Sequence, residues 1–124
     1  LVSFMEHHGY EPLHRSTGYS NHLHSDPSMG RVDFVYLAAA TADRLFAGCR
    51  DEMGPGGRRL LVPRPEHLAA MKVVAMKSDP ARAFQELADI RALLTLPGVD
   101  RDEVRGYFAR HGLEERFDEL AATL

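Results

Sequence analysis

Cysteine is nearly absent from this chain: Cys49 is the only one among 124 residues. A lone thiol closes no internal disulfide and excludes metal sites built from several cysteines. A reducing, cytoplasmic setting is the simplest reading, with Cys49 expected to act as a small buried apolar residue. Long hydrophobic runs are also missing. None approaches the ~18 residues needed to span a membrane, and the first residues carry no signal-peptide pattern, so no membrane partner is expected. Neither sign of charge dominates. A net charge of -3 gives no overall attraction for nucleic acid or anionic lipid, so any such contact needs a local basic cluster.

What is present suits one soluble domain, or one domain and a fragment, with 44% hydrophobic and 27% charged residues. The stretch LVSFMEHHG places Leu1, Phe4, Met5 and His8 on one helical face and stops at Gly9. The chain opens on Leu1 rather than methionine, as if a helix were already running into a strand, and further sequence upstream is expected. YEPLHR reads as a strand that Pro12 confines to an edge or to a late start, STGYSN as a turn, and HLHSDPSMG as a short strand closed by a second turn. RVDFVYL is the clearest strand, with Val32, Phe34 and Tyr36 on one face and Arg31, Asp33, Val35 and Leu37 on the other. TADRLFAGCR predicts a short helix with Thr41 as its N-cap. DEMGPGGRR predicts a glycine-rich turn between two extended pieces.

From Pro65 onward the pattern is helical. Pro65 suits a first turn. Asp79 and Pro80 open a second helix ending at LPG, Asp100 caps a third, and LEERFDELAATL is the last. The fold class is therefore α+β. Residues 1–63 carry a partial mixed or antiparallel sheet with flanking helices, and residues 64–124 an antiparallel helical bundle.

Four places could carry chemistry. His22 and His24 alternate on a strand and so share a face, a geometry that can hold a metal. No third ligand stands nearby, and polar residues on an exposed face, or lining a groove for a polyanion, read better. GPGGRR lacks the lysine and following helix of a phosphate-binding loop and reads as a hairpin turn. Arg58, Arg59 and Arg64 around it still form the densest positive patch, a candidate contact for a nucleic-acid backbone. Asp33 lies mid-strand beside apolar neighbours, either paired with an arginine such as Arg31 or serving as a metal ligand or general base. The fourth place is in EHLAAMKVVAMKSD, where Leu68, Met71, Ala75 and Met76 share a helical face at about 100° per residue. Lys72 falls on that same face. Asp89 is central in the next helix, and two helices joined by a short turn must pack on each other. Lysine and aspartate would meet there, as a structural ion pair or as part of a site.

The run VPRPEHLAAMKVVAMKSDPARAFQELADIRALL resembles the C-terminal motif region of the AbiEii-type nucleotidyltransferases. These are relatives of DNA polymerase β in fold, many of them toxins of bacterial toxin–antitoxin pairs. The family pattern, an extended v-P-s-p-e-x-L-l-a-x-K followed by D-x-x-D-[IL], stands here as VPRPEHLAAMK and ELADI, with Glu86 in place of the first aspartate. GRVDFVYL is similar to the strand that bears the third active-site carboxylate. The likeness covers residues 31–96. It implies that Asp33 is the third acid at a Mg²⁺ site, that Lys72 meets the triphosphate or supports the catalytic site, and that Asp89 orients Lys72 or the acceptor. Lys77 and Arg64 would be secondary contacts to phosphate or nucleic acid. The family's first motif, a Gly-Ser turn followed by D-x-D, is absent.

The expectation is therefore part of a minimal nucleotidyltransferase that moves a nucleotide from an NTP, with Mg²⁺, to an acceptor such as RNA. An antitoxin protein would be its partner, and these residues alone would be inactive. Self-association is a further expectation, because a partial sheet exposes an edge. The alternatives are an inactive relative that binds a nucleotide or a protein, and an interaction domain in which Lys72 and Asp89 are only structural.

Overall fold

The computed structural model describes every residue, Leu1–Leu124. The chain forms two compact units, Leu1–Asp43 and Arg44–Leu124, divided within helix α2 (Ala39–Ala47). The boundary expected after residue 63 thus falls inside the second unit, and the glycine-turn hairpin belongs with the helices. The α+β class holds, with an antiparallel sheet followed by helices.

In the first unit, helix α1 (Val2–His7) buries Met5 alone, while Leu1 and Phe4 from the same face are 55% and 62% exposed. Strands β1 (Tyr10–Arg15), β2 (Tyr19–His24) and β3 (Arg31–Val35) form an antiparallel sheet in the order β1-β2-β3. β1 is an edge, as Pro12 requires, and its register shifts between Pro12 and His14. β2 starts earlier than its composition suggests. Tyr19, Ser20 and Asn21 look like turn residues but pair with β3, and the turn contracts onto Ser16, whose hydroxyl accepts the N–H groups of Gly18 and Tyr19. Thr41 is not the N-cap of α2. The helix begins at Ala39, and the Thr41 N–H already donates to the Ala38 carbonyl.

The second unit opens with β4 (Arg50–Met53) and β5 (Arg59–Val62), paired only with each other. Their turn places Gly56 and Gly57 at φ of 70° and 73°, a region that costs a side-chain-bearing residue about 1–2 kcal/mol. All eight strand residues are exposed. Cys49, just before β4, is half-buried and its thiol donates to the Leu45 carbonyl.

Four helices follow: α3 (Pro65–Ser78), α4 (Ala83–Leu94), α5 (Arg101–Arg110) and α6 (Glu114–Ala121). Pro65 occupies the first turn of α3 as expected. Asp79 is a cap, but of a single 3-10 turn, Pro80–Arg82, where its carboxylate accepts the Ala81 N–H. The α-helix proper starts only at Ala83. Asp100 caps α5 by accepting the Glu103 N–H at 2.9 Å.

α3 packs on α4 and α5, and α5 on α6. Their shared core is Ala69, Val73, Met76, Ile90, Leu94, Val104, Phe108 and Phe117. Phe108 and Phe117 meet edge to face at 5.4 Å, a favoured aromatic geometry. The buried stripe of α3 is therefore Glu66, Ala69, Val73 and Met76, displaced from the Leu68–Met71–Ala75–Met76 face that apolar spacing marks, of which Met76 alone is buried.

Candidate functional site

That displacement moves Lys72 from the middle of the buried face to its border, where its side chain is 30% exposed. A lysine suits such a border, because its stem covers apolar surface while the ammonium reaches outward. Here it reaches α4. Lys72 Nζ donates to Asp89 Oδ2 at 2.5 Å and to Glu86 Oε2 at 3.1 Å. Glu86 is almost fully buried, at 1% exposure, and a second cation, Arg82, lies 2.5 Å from its other oxygen. That oxygen has no aligned hydrogen bond, so Arg82 acts there through charge. Gln85 donates to Asp89 Oδ1 at 2.9 Å from one turn away.

The charges balance, with Lys72 and Arg82 set against Glu86 and Asp89. Burial weighs against the Lys72 charge, but its hydrogen bonds to Asp89 and Glu86 and their negative charge outweigh that, holding its pKa above the ordinary 10.5. The hydrogen bond from Lys72 likewise holds the Asp89 carboxyl below its ordinary 3.8, with Gln85 adding to it against partial desolvation. Lysine has three N–H donors. Two are taken, and the third is left on a partly exposed ammonium.

A second network ties the start of α3 to the start of α5. Glu66, 4% exposed, accepts the Asp100 backbone N–H at 2.9 Å. Arg64 lies 3.2 Å from Glu66 and 2.8 Å from Glu103, and the Tyr107 hydroxyl donates to Glu103 at 2.7 Å. Desolvation opposes ionisation of Glu66, yet the Asp100 N–H and Arg64 overcome it and hold its pKa below the ordinary range. Arg64 is thus committed to two carboxylates. Of the other arginines in the expected basic patch, Arg59 is paired with Asp51.

Asp33 lies in the first unit, on an exposed face. One carboxylate oxygen accepts Asn21 Nδ2 at 2.7 Å and the other Arg31 Nη2 at 2.9 Å. The arginine pairing is the one its sequence neighbours offered. A magnesium site usually takes one or two carboxylates with water and phosphate oxygens around them. No group of three or more His, Cys, Asp or Glu side chains is placed to hold a metal ion, and both Asp33 oxygens are engaged.

His22 and His24 correct another expectation, since their face is not exposed. His22 is 0% exposed, with Nε2 sharing a hydrogen bond with buried Ser20 at 3.0 Å. Ser20 in turn bonds the Tyr36 hydroxyl at 2.6 Å. His24 stacks edge-on against Tyr10 and accepts the Asp26 N–H. His22 and His24, two apart on β2, were legible as sharing a face, but nothing local told which face is buried.

Of the residues singled out from sequence, the structure brings Lys72 and Asp89 together and gives Asp33 and Arg64 other partners. Lys77 is exposed near the end of α3. Sequence reasoning missed Arg82, although its position four residues before Glu86 is the usual helical ion-pair spacing. No helix is long and apolar enough to cross a membrane. Comparison of the chain with protein-family models, with curated proteins and with solved structures returns no match.

Proposed function

We propose that this chain is part of a minimal nucleotidyltransferase of the AbiEii type, acting on an NTP and an acceptor such as RNA in a toxin–antitoxin setting. One observation carries the reading: Lys72 is fixed across the α3–α4 hairpin by Asp89 and Glu86, with one ammonium donor left over. This is the lysine and the acid that the family likeness pairs.

Phosphoryl-type transfer is mostly positioning and charge stabilisation. A lysine locked in the charged state and held by two carboxylates is suited to orient a phosphate oxygen. Because the cluster is neutral overall, it contributes direction rather than long-range attraction. Asp89 and Glu86 are positioning residues in this reading, and Lys72 is the group that touches phosphate. No complete catalytic centre is assigned to residues 1–124, since Asp33 alone does not provide the carboxylates that nucleotidyl transfer uses.

Calorimetry with each NTP tests this. Binding is expected for at least one triphosphate, reduced at least about tenfold in Lys72→Met while helical content is retained. Absence of binding for all NTPs, or equal binding by the variant, would overturn it. A second reading is a protein-binding module in which the cluster only clips the hairpin together, and the balance of its four charges favours that. Lys72→Met would then lower stability and leave every binding activity in proportion to the folded fraction.

A further inference from the structure

Strands β4 and β5 pair only with each other, and every residue of both is exposed. A lone two-stranded ribbon is marginal in water, and further strands or a packed face are what ordinarily secure one. The two free edges of this ribbon are chemically unlike. β4 runs Arg50, Asp51, Glu52, Met53, mostly charged, whereas β5 runs Arg59, Leu60, Leu61, Val62. Leu60, Leu61 and Val62 are 48%, 58% and 38% exposed.

The ladder determines which backbone groups β5 still offers. At the turn the Gly54 N–H donates to the Arg58 carbonyl at 2.7 Å, and Met53 stands opposite Arg59. Antiparallel pairs alternate between hydrogen-bonded and non-hydrogen-bonded. Glu52 with Leu60 and Arg50 with Val62 are therefore the bonded pairs, and Arg59 and Leu61 turn their N–H and C=O groups outward. No strand or loop receives them there. Such a row of unpaired groups along an apolar strand is a template for another strand.

The occupant follows from what each sheet edge meets in its own copy. When identical strands pair antiparallel about a two-fold axis, the residue on the axis faces itself. It is bonded across the axis only where its N–H and C=O point outward. The central residue of that kind is Asp51 on β4 and Asp33 on β3, and like charges directly opposite are destabilising. β1 is interrupted by Pro12 and a register shift. On β5 the residue is Leu61, and nothing opposes its self-pairing.

We propose that β5 pairs antiparallel with β5 of a second copy, about a two-fold axis at Leu61, joining two ribbons into one sheet. The N–H and C=O of Leu61 bond those of the partner's Leu61, and the Arg59 N–H reaches the partner's Pro63 carbonyl. Leu60 and Val62 lie across from the partner's Val62 and Leu60, closing an apolar patch on one face. Pro63 has no N–H and ends the pairing. The charges flanking it are already met, Arg59 by Asp51 and Arg64 by Glu66 and Glu103. The outer edges of the joined sheet are the charged β4 strands, so assembly closes at the dimer. A contact this short buries less than the roughly 1,200 Å² of a standard interface, which makes the dimer weak and concentration-dependent. The interface is independent of nucleotidyl transfer.

Sedimentation velocity on the full chain, from about 10 µM to about 1 mM, should show a reversible monomer–dimer equilibrium. Amide resonances of Arg59 and Leu61 should move with concentration while those of Val73 and Ile90 stay in place. Leu61→Lys and Leu61→Glu each set like charges against each other on the axis and should weaken the dimer about fivefold or more. Mixed in equal amounts, they bring lysine against glutamate and should associate again, a rescue that loss of folding could not produce. Leu61→Pro removes an N–H that β4 does not use, so the dimer should be lost while the β4–β5 resonances persist. A chain still monomeric at about 1 mM, lysine and glutamate variants that stay apart when mixed, or undiminished association of Leu61→Pro would overturn the proposal. So would growth past the dimer, or concentration-dependent shifts centred elsewhere, such as on Phe84, which is 89% exposed.

Discussion

Replacing Lys72 with methionine keeps most of the stem and deletes the ammonium. Glu86, whose side chain is 2% exposed, is then left with Arg82, which is not aligned to donate a hydrogen bond. Breaking a fully buried ion pair from one side costs about 3–5 kcal/mol, and stranding a buried polar group about 1–3 kcal/mol. Lys72 is itself 30% exposed and Arg82 remains nearby, so the lower range applies and the loss should be about 2 kcal/mol. Asp89 adds little, because at 38% exposure water takes over its solvation.

The decisive measurement is a double-mutant cycle with Glu86→Leu, using urea unfolding followed by far-ultraviolet circular dichroism. Removing both charges abolishes the stranded carboxylate. The double variant should therefore be more stable than the summed single effects predict, by about 1–2 kcal/mol. A Lys72→Met protein within about 0.5 kcal/mol of the wild type, or strictly additive effects, would refute this account of the cluster.

Truncating Phe108, which is 0% exposed in the core, to alanine should cost about 3–5 kcal/mol, read from the same unfolding curves. Asp100→Ala removes the acceptor for the Glu103 N–H and should cost about 1 kcal/mol, visible as a lower midpoint with an unchanged slope. Gly57→Ala forces a side chain into a positive φ and should perturb amide shifts of β4 and β5 while leaving those of the α3–α4 core in place. Stability should fall in acid. The Glu66 and Asp89 pKa values are depressed from ordinary values of 4.5 and 3.8, so their contributions are full above those values and vanish as pH drops through the folded ones. Lys72 acts oppositely: its raised pKa gives stability that is full below 10.5 and lost as alkali titrates the folded group. Unfolding midpoints across pH that stay flat below pH 4.5 would contradict the first assignment.

The secondary structure was legible wherever local chemistry decides it. Pro12 on an edge, Pro65 in a first turn, Asp100 as a cap and the glycine turn between two strands are all short-range effects. Other expectations failed for want of tertiary information. The start of β2 was hidden because Ser20 is a turn residue by composition and a buried hydrogen-bonding residue by position. Thr41 sits within a helix that starts two residues earlier. The buried stripe of α3 includes Glu66, which no hydrophobicity pattern selects, since only the Asp100 N–H and Arg64 make its burial tolerable. The pairing of Lys72 with Asp89 was legible because a short connection forces α3 against α4. The Arg31 partner of Asp33 was offered by sequence, two residues away on the same strand, whereas its Asn21 partner depends on the β2–β3 register.

The β4–β5 ribbon has a consequence for how this protein breathes. None of its strand side chains is buried, so melting the ribbon uncovers little apolar surface, chiefly the covered parts of Leu60 and Val62. The urea sensitivity of an opening scales with the surface it newly exposes, and local openings need little free energy where few contacts hold them. Amides of Arg50–Met53 and Arg59–Val62 should therefore exchange with deuterium early and at rates almost independent of urea, while those around Val73 and Ile90 slow exchange until the whole helical core opens. The segment joining α2 to the helices can come apart and re-form many times without the core registering it.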